Sequence, residues 1–151
     1  VDIGMHFGED ELQRHFGQIW PLHVEHFTAL LIALREQFGG DLDRMLVLAV
    51  VGMRSLPPQR VQGRSFAEFQ AGNLAQQPRP INVQSIAETT GIARETVRRK
   101  VAELEAAGWI ERGEDGHLVV SPRARDDLAP ATQATMRYLV AIGAACVEAA
   151  G

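Results

Sequence analysis

A single glycine constrains residues 81–112 more than any other feature of the chain. Gly91 lies between two segments of helical periodicity in INVQSIAETTGIARETVRRKVAELEAAGWIER. The first, Val83 to Thr90, has Asn82 in place to cap it and carries Ile86 and Ala87 on one face. The second, Arg94 to Ala107, repeats Val97, Val101 and Leu104 at spacings of 4 and 3, which is one buried stripe. Glycine reverses the chain cheaply through left-handed backbone. The pattern therefore predicts two helices crossing closely over Ala87, with Ile92 filling the corner between them. Gly108 ends the second helix. Trp109–Glu111 and His117–Val120 follow as two short strands joined by the tight turn of GEDG.

The same stretch concentrates positive charge. Arg94, Arg98, Arg99 and Lys100 fall within seven residues of a chain whose formal net charge is -4. Residues 1–40 carry a net -4, residues 41–78 and 79–125 each +1, and residues 126–151 -2. With no polybasic tail, nucleic-acid contact has to be local, made by a few placed side chains on a scaffold that is acidic elsewhere. Arg94, Arg98 and Arg99 project away from the Val97/Val101/Leu104 stripe, and Glu95 and Thr96 complete the exposed first turn. A helix held by one face and showing guanidinium, hydroxyl and carboxylate groups on the other suits a major groove. Lys100 sits on the flank, where phosphate contact is expected. Arginines on an outward helix face are also common on ordinary proteins; the helix, glycine turn, helix and hairpin order is what favours the DNA reading.

Helices dominate the remainder. Val24, Phe27, Leu31, Leu34 and Phe38 recur at spacings of 3 and 4 within a helical stretch from Glu9 to Phe38, which Pro21 starts or kinks and Gly39-Gly40 stops. Asp41 or Asp43 caps the next segment, Leu42 to Leu56, which is dense enough in apolar residues for a buried helix. Residues 57–80 read as a polar, proline-bearing linker with one short helix within Ser65–Leu74. From Arg123 to Ala150 a last helix carries Leu128, Thr132, Thr135, Leu139, Ile142, Cys146 and Ala149 in alternating steps of 4 and 3.

SIAETTGIARETVRRKVAELEAAGWIER resembles the DNA-reading segment of the MarR and GntR groups of bacterial transcription regulators, a winged helix-turn-helix, over residues 81–121. The resemblance implies Val83–Thr90 as the first helix of the motif, Ala93–Ala107 as the recognition helix and Glu111–Val119 as the wing. It assigns Arg94, Glu95, Thr96, Arg98 and Arg99 to the DNA-facing surface, with Lys100 beside them and Arg112 as the wing's basic residue. The long terminal helices resemble a MarR-type dimerisation layout. Two features depart from that pattern: the linker is long, and the wing tip, Gly113-Glu114-Asp115-Gly116, is acidic.

The expected fold is therefore mainly α with a small β-hairpin. Dimerisation helices occupy 1–40 and 122–151, and the winged domain with its extended linker occupies 41–121. The expected function is a cytoplasmic, sequence-specific, double-stranded DNA-binding regulator, a repressor acting as a homodimer on a palindromic operator. The alternative is a winged helix used for protein contact, as an adaptor. Neither catalysis nor a cofactor is expected. His23 and His26 share a helix face but lack a third ligand, so no metal site is expected, and Cys146 reads as a small apolar residue. No run of 18 apolar residues suggests a membrane span. Trp20 and the phenylalanines near it read as core or interface, and the alternative is an aromatic pocket for a small-molecule effector between the N-terminal helices and the motif.

Overall fold

The computed structural model describes residues 6–56, 61–72 and 79–151. The chain divides into two compact units, residues 38–129 and residues 1–37 with 130–151.

The central unit begins with α3, Leu42–Ser55, whose first turn is held by Asp41: its carboxylate accepts from the Arg44 amide at 2.8 Å. A short helix, α4 (Phe66–Gln70), is capped by Ser65. It lies inside the stretch where one short helix was expected; residues 57–60 and 73–78 of the expected linker lie outside the described residues. Asn82 caps α5 (Val83–Thr90), accepting from the Ser85 amide at 2.8 Å. Gly91 then takes φ 75°, the left-handed value on which the turn depends. Thr90 ties that turn down, its hydroxyl donating to the Ile86 carbonyl at 2.8 Å and accepting from the Ile92 amide at 3.1 Å. Helix α6 runs Arg94–Ala106 and ends at Gly108, φ 79°, where the Trp109 amide reaches back to the Leu104 carbonyl at 3.0 Å.

The hairpin pairs β1 (Ile110–Arg112) with β2 (Leu118–Val120) antiparallel, Ile110 opposite Val120 and Arg112 opposite Leu118. Ile81 bridges Leu118 on the other side. The first strand was expected at Trp109–Glu111 and starts one residue later. Trp109 keeps one ladder bond, its carbonyl accepting from the Ser121 amide at 2.9 Å, but its own amide is taken by the Leu104 carbonyl at the end of α6. Its indole N–H donates to Asp127 at 2.9 Å, and its ring meets Phe38 edge-on. Ser121 caps α7 (Pro122–Asp127), and the Pro122 ring suits that first turn. Val47, Val51, Ile86, Val97, Val101, Leu104 and Leu118 all show 0% exposure, so α3, α5, α6 and the hairpin share one core.

The other unit contains α1 (Glu9–Arg14), α2 (Phe16–Gln37) and α8 (Ala129–Ala150). The N-terminal helical stretch breaks at His15, not at Pro21. Pro21 falls in the second turn of α2, past the amides that are free in any helix, so the helix runs through it without the bond to the Gly17 carbonyl. The last stretch likewise breaks, at Leu128. Ile19 and Leu30 of α2 and Ala131, Ala134 and Ala145 of α8 are buried. The expected stripes are only partly covered. Val24 is 48% exposed, Phe27 38% and Leu31 39%, whereas Leu34 is half-buried and Phe38 buried. On the last helix Leu139 is 60% exposed, while Thr132, Thr135, Ile142, Cys146 and Ala149 are half-buried. Small alanines take the buried positions of α8. No helix of the described residues is long and apolar enough to cross a membrane. The architecture is mainly α-helical with one small antiparallel hairpin and long terminal helices, as expected from sequence.

Leu104→Ala, emptying a fully buried site, should destabilise the central unit by about 2–5 kcal/mol. Gly91→Ala meets no atom within 4 Å and should cost about 1 kcal/mol through its dihedral alone. Urea unfolding of both variants checks the order; equal losses would contradict it.

Candidate nucleic-acid interface

Helix α6 presents its polar side because Val97, Val101 and Leu104 fix the other side in the core. Arg94, Glu95, Arg98 and Arg99 are exposed on it, and Thr96 is half-buried. Arg98 and Glu95, whose side chains are 62% and 82% exposed, pair at 3.0 Å across one turn. In water such a pair adds little stability, but it sets the guanidinium's resting position.

A groove of about 480 Å³ lies beside this helix. The first turn of α5 contributes Asn82, Val83 and Gln84; α6 contributes Arg94, Arg98 and Ala102; the hairpin contributes Arg112 and Gly116. Three of the sequence-assigned residues thus line one concavity: Arg94, Arg98 and Arg112. Gln84 was not singled out from sequence. Its position in the first turn of the leading helix is the signal that places it beside the arginines.

Arg112 is held by a fork, with Nη2 at 2.6 Å from Glu105 Oε1 and Nε at 3.4 Å from Glu105 Oε2. At the tip, Asp115 accepts from the His117 amide at 3.1 Å and faces the His117 ring at 2.9 Å. These contacts, the backbone bond foremost, hold its carboxyl below the usual range. One of the two acids thus closes the turn, leaving Glu114 exposed.

Lys100 is placed apart from the groove. Its side chain is 14% exposed, with Nζ 2.6 Å from Asp41 and 3.6 Å from Glu103. Arg44 lies 3.1 Å from the same Glu103 carboxylate. Asp41 therefore serves two elements, capping α3 with Oδ1 and receiving the ammonium of α6 on Oδ2. Burial pushes its carboxyl up, but the Lys100 hydrogen bond, the Arg44 amide and both charges outweigh that and hold it below the ordinary value. His23 Nδ1, in the other unit, lies 2.7 Å from the Tyr138 hydroxyl, and its ring stacks on Phe27. Among the described residues no cluster of three metal-ligating side chains occurs.

Residues 64–125 match the Crp-like helix-turn-helix domain. This corrects the MarR and GntR resemblance. Helix, glycine turn, helix and hairpin recur across winged regulators and do not separate their families. The matched span begins at Arg64 and takes in α4 and part of the stretch read as linker, which the motif alone left out. No curated protein and no solved structure matches the chain. The central unit thus carries a winged helix-turn-helix domain of the kind typical of transcriptional regulators, a non-catalytic class.

Asp41→Asn keeps a capping oxygen but removes the charge facing Lys100. Because the folded carboxyl is depressed, its contribution is present above the ordinary carboxylate range and lost as pH falls through the folded value. The variant should lose about 1–2 kcal/mol at neutral pH and converge with the parent in acid. Urea titrations across pH measure the gap; a pH-independent gap would mean the charge is not its source.

Proposed function

We infer that the chain is a sequence-specific double-stranded DNA-binding transcription regulator. The observation that carries this reading is the groove in which Arg94, Arg98 and Arg112 converge beside a helix anchored on its opposite face. Arg98, at mid-helix, reads a base edge, the geometry of its fork favouring guanine; Arg94, Glu95, Thr96 and Arg99 read or brace around it, and Arg112 meets the backbone from the hairpin. Lys100 supports the surface from behind by tying α6 to Asp41. The protein acts by occupying DNA in the cytoplasm, with repression the expected sign.

The active form in this reading is a homodimer on an approximate palindrome. Its support is the terminal unit, where Phe16, Trp20, Val24, Phe27 and Leu31 stand 38–50% exposed along α2 and Leu139, Val140 and Val147 stand 60–71% exposed along α8. Helices so poorly covered are stabilised by packing against another surface, and a second copy supplies the same apolar faces. Residues 1–40 and 122–151 are thus the dimerisation regions around a DNA-binding domain. The aromatic face near Trp20 and Tyr138 is where an effector would bind.

One observation favours the adaptor reading. Glu95 and Glu105 already pair with Arg98 and Arg112, and Glu114 adds negative charge at the wing tip. A titration against genomic fragments at two salt concentrations separates the two readings. DNA reading predicts an affinity that falls with salt, by a log–log slope of about 0.9 per neutralised phosphate. Arg98→Ala should weaken the selected site by about 1–3 kcal/mol and relax selectivity at one position. Lys100→Met should lower stability and leave the slope unchanged. An Arg98 variant that binds selected and scrambled duplexes as the parent does would turn the assignment toward protein contact.

A further inference from the structure

Helix α3 is apolar on two sides. Val47, Leu48, Val50 and Val51 enter the core of the central unit. On the other side Leu42 is 50% exposed, Leu46 40% and Met53 61%, with Ala49 exposed between them. These four recur at spacings of 4, 3 and 4, a continuous stripe. Unlike the core side, it is left exposed. Asp43 is exposed at its N-terminal end and Arg54 at its C-terminal end, and neither makes an ion pair among the described residues.

This arrangement is complementary to itself when reversed. Two copies of α3 laid antiparallel can set Leu42 opposite Met53 and Leu46 opposite Ala49, at both ends alike. In that register Asp43 of each copy falls two residues, about 3 Å along the axis, from Arg54 of the other. An arginine side chain spans that offset easily. The small side chain of Ala49 near the centre lets the helices approach closely. A stripe of four residues is too small to hold two proteins together alone. It fits as a second contact within a pair joined elsewhere.

We propose that α3 pairs antiparallel with α3 of a second copy, Asp43 meeting Arg54 at each end, and that this contact sets the two DNA-binding units about a two-fold axis. The proposal rests on the homodimer reading above and adds where its central units touch. Lys100 and Asp41 tie α6 to the start of α3, so the same axis relates the two recognition helices. That is the symmetry a palindromic site requires.

The test uses the full chain with Cys146→Ser, Leu46→Cys and Ala49→Cys, oxidised mildly and run on a non-reducing gel. The proposal expects a band of doubled mass. Adding Asp43→Arg, or separately Arg54→Asp, should reduce that band at least fivefold, because each change sets like charges together at both ends. Co-expressing the two reversed chains with tags of different length should restore cross-linking, in the mixed pair only. No doubled band in the first chain, an undiminished band in the single reversals, or no recovery in the mixture would each overturn the proposal. Light scattering on the unsubstituted chain keeps the two readings apart. Dimer mass without the cross-link removes this contact alone, whereas monomer mass removes the homodimer as well.

Discussion

The burial of Val97, Val101 and Leu104 against α3, α5 and the hairpin is the interaction on which the candidate site depends. At 0% exposure these side chains fix both the rotation and the height of α6. Rotating the helix by one residue, about 100°, would take Arg98 and Glu105, or Lys100 and Glu103, into the core and leave valines in water. Burying such charged groups costs far more than any surface contact returns. The direction of Arg94 and Arg98 is thus decided by apolar packing on the far side, and their charge has little part in it.

What could be read from the sequence follows the range of the contacts involved. The Gly91 turn and the α6 stripe depend on neighbours three or four residues away, so local pattern sufficed for both. Trp109 is shared between the end of α6 and the hairpin, its amide on Leu104 and its carbonyl on the Ser121 amide further along the chain, and the strand was placed one residue early. Lys100 meets Asp41, 59 residues away in the chain, and nothing in the spacing of either segment indicates that pair. On α8, apolar character drew attention to Leu139, whereas close packing placed the alanines inside. The convergence of Arg94 with Arg98 was legible from helical spacing. That Arg112 and Gln84 join them needed the hairpin and α5 in place. The MarR and GntR resemblance did not hold because the motif is common to several winged groups, and the domain match extends upstream of it to Arg64.

The two units solve the same packing problem differently. The central one closes its core with seven fully buried side chains drawn from three helices and a hairpin. The terminal one has long helices but buries few large residues, so much of its apolar surface is left facing solvent. Asp41 stands just inside the boundary between them, after Gly39 and Gly40, both at positive φ. A carboxylate shared by a helix cap and an ammonium makes the start of α3 a fixed point for α6, whatever happens on the other side of those glycines.

The pairing of Arg98 with Glu95 and of Arg112 with Glu105 gives this surface tethered counter-ions. An incoming anion must displace a carboxylate that stays attached nearby, at an effective concentration on the millimolar scale or above. Free salt ions drift away once released; these carboxylates remain as competitors. Loose, sequence-blind attraction to polyanions is thereby held down, in keeping with a chain whose pI is about 5.7. Each exposed pair is weak in water, so the acids beside the arginines set a low threshold for entry, one that a well-fitted acceptor passes easily and a loosely held one gains less by passing.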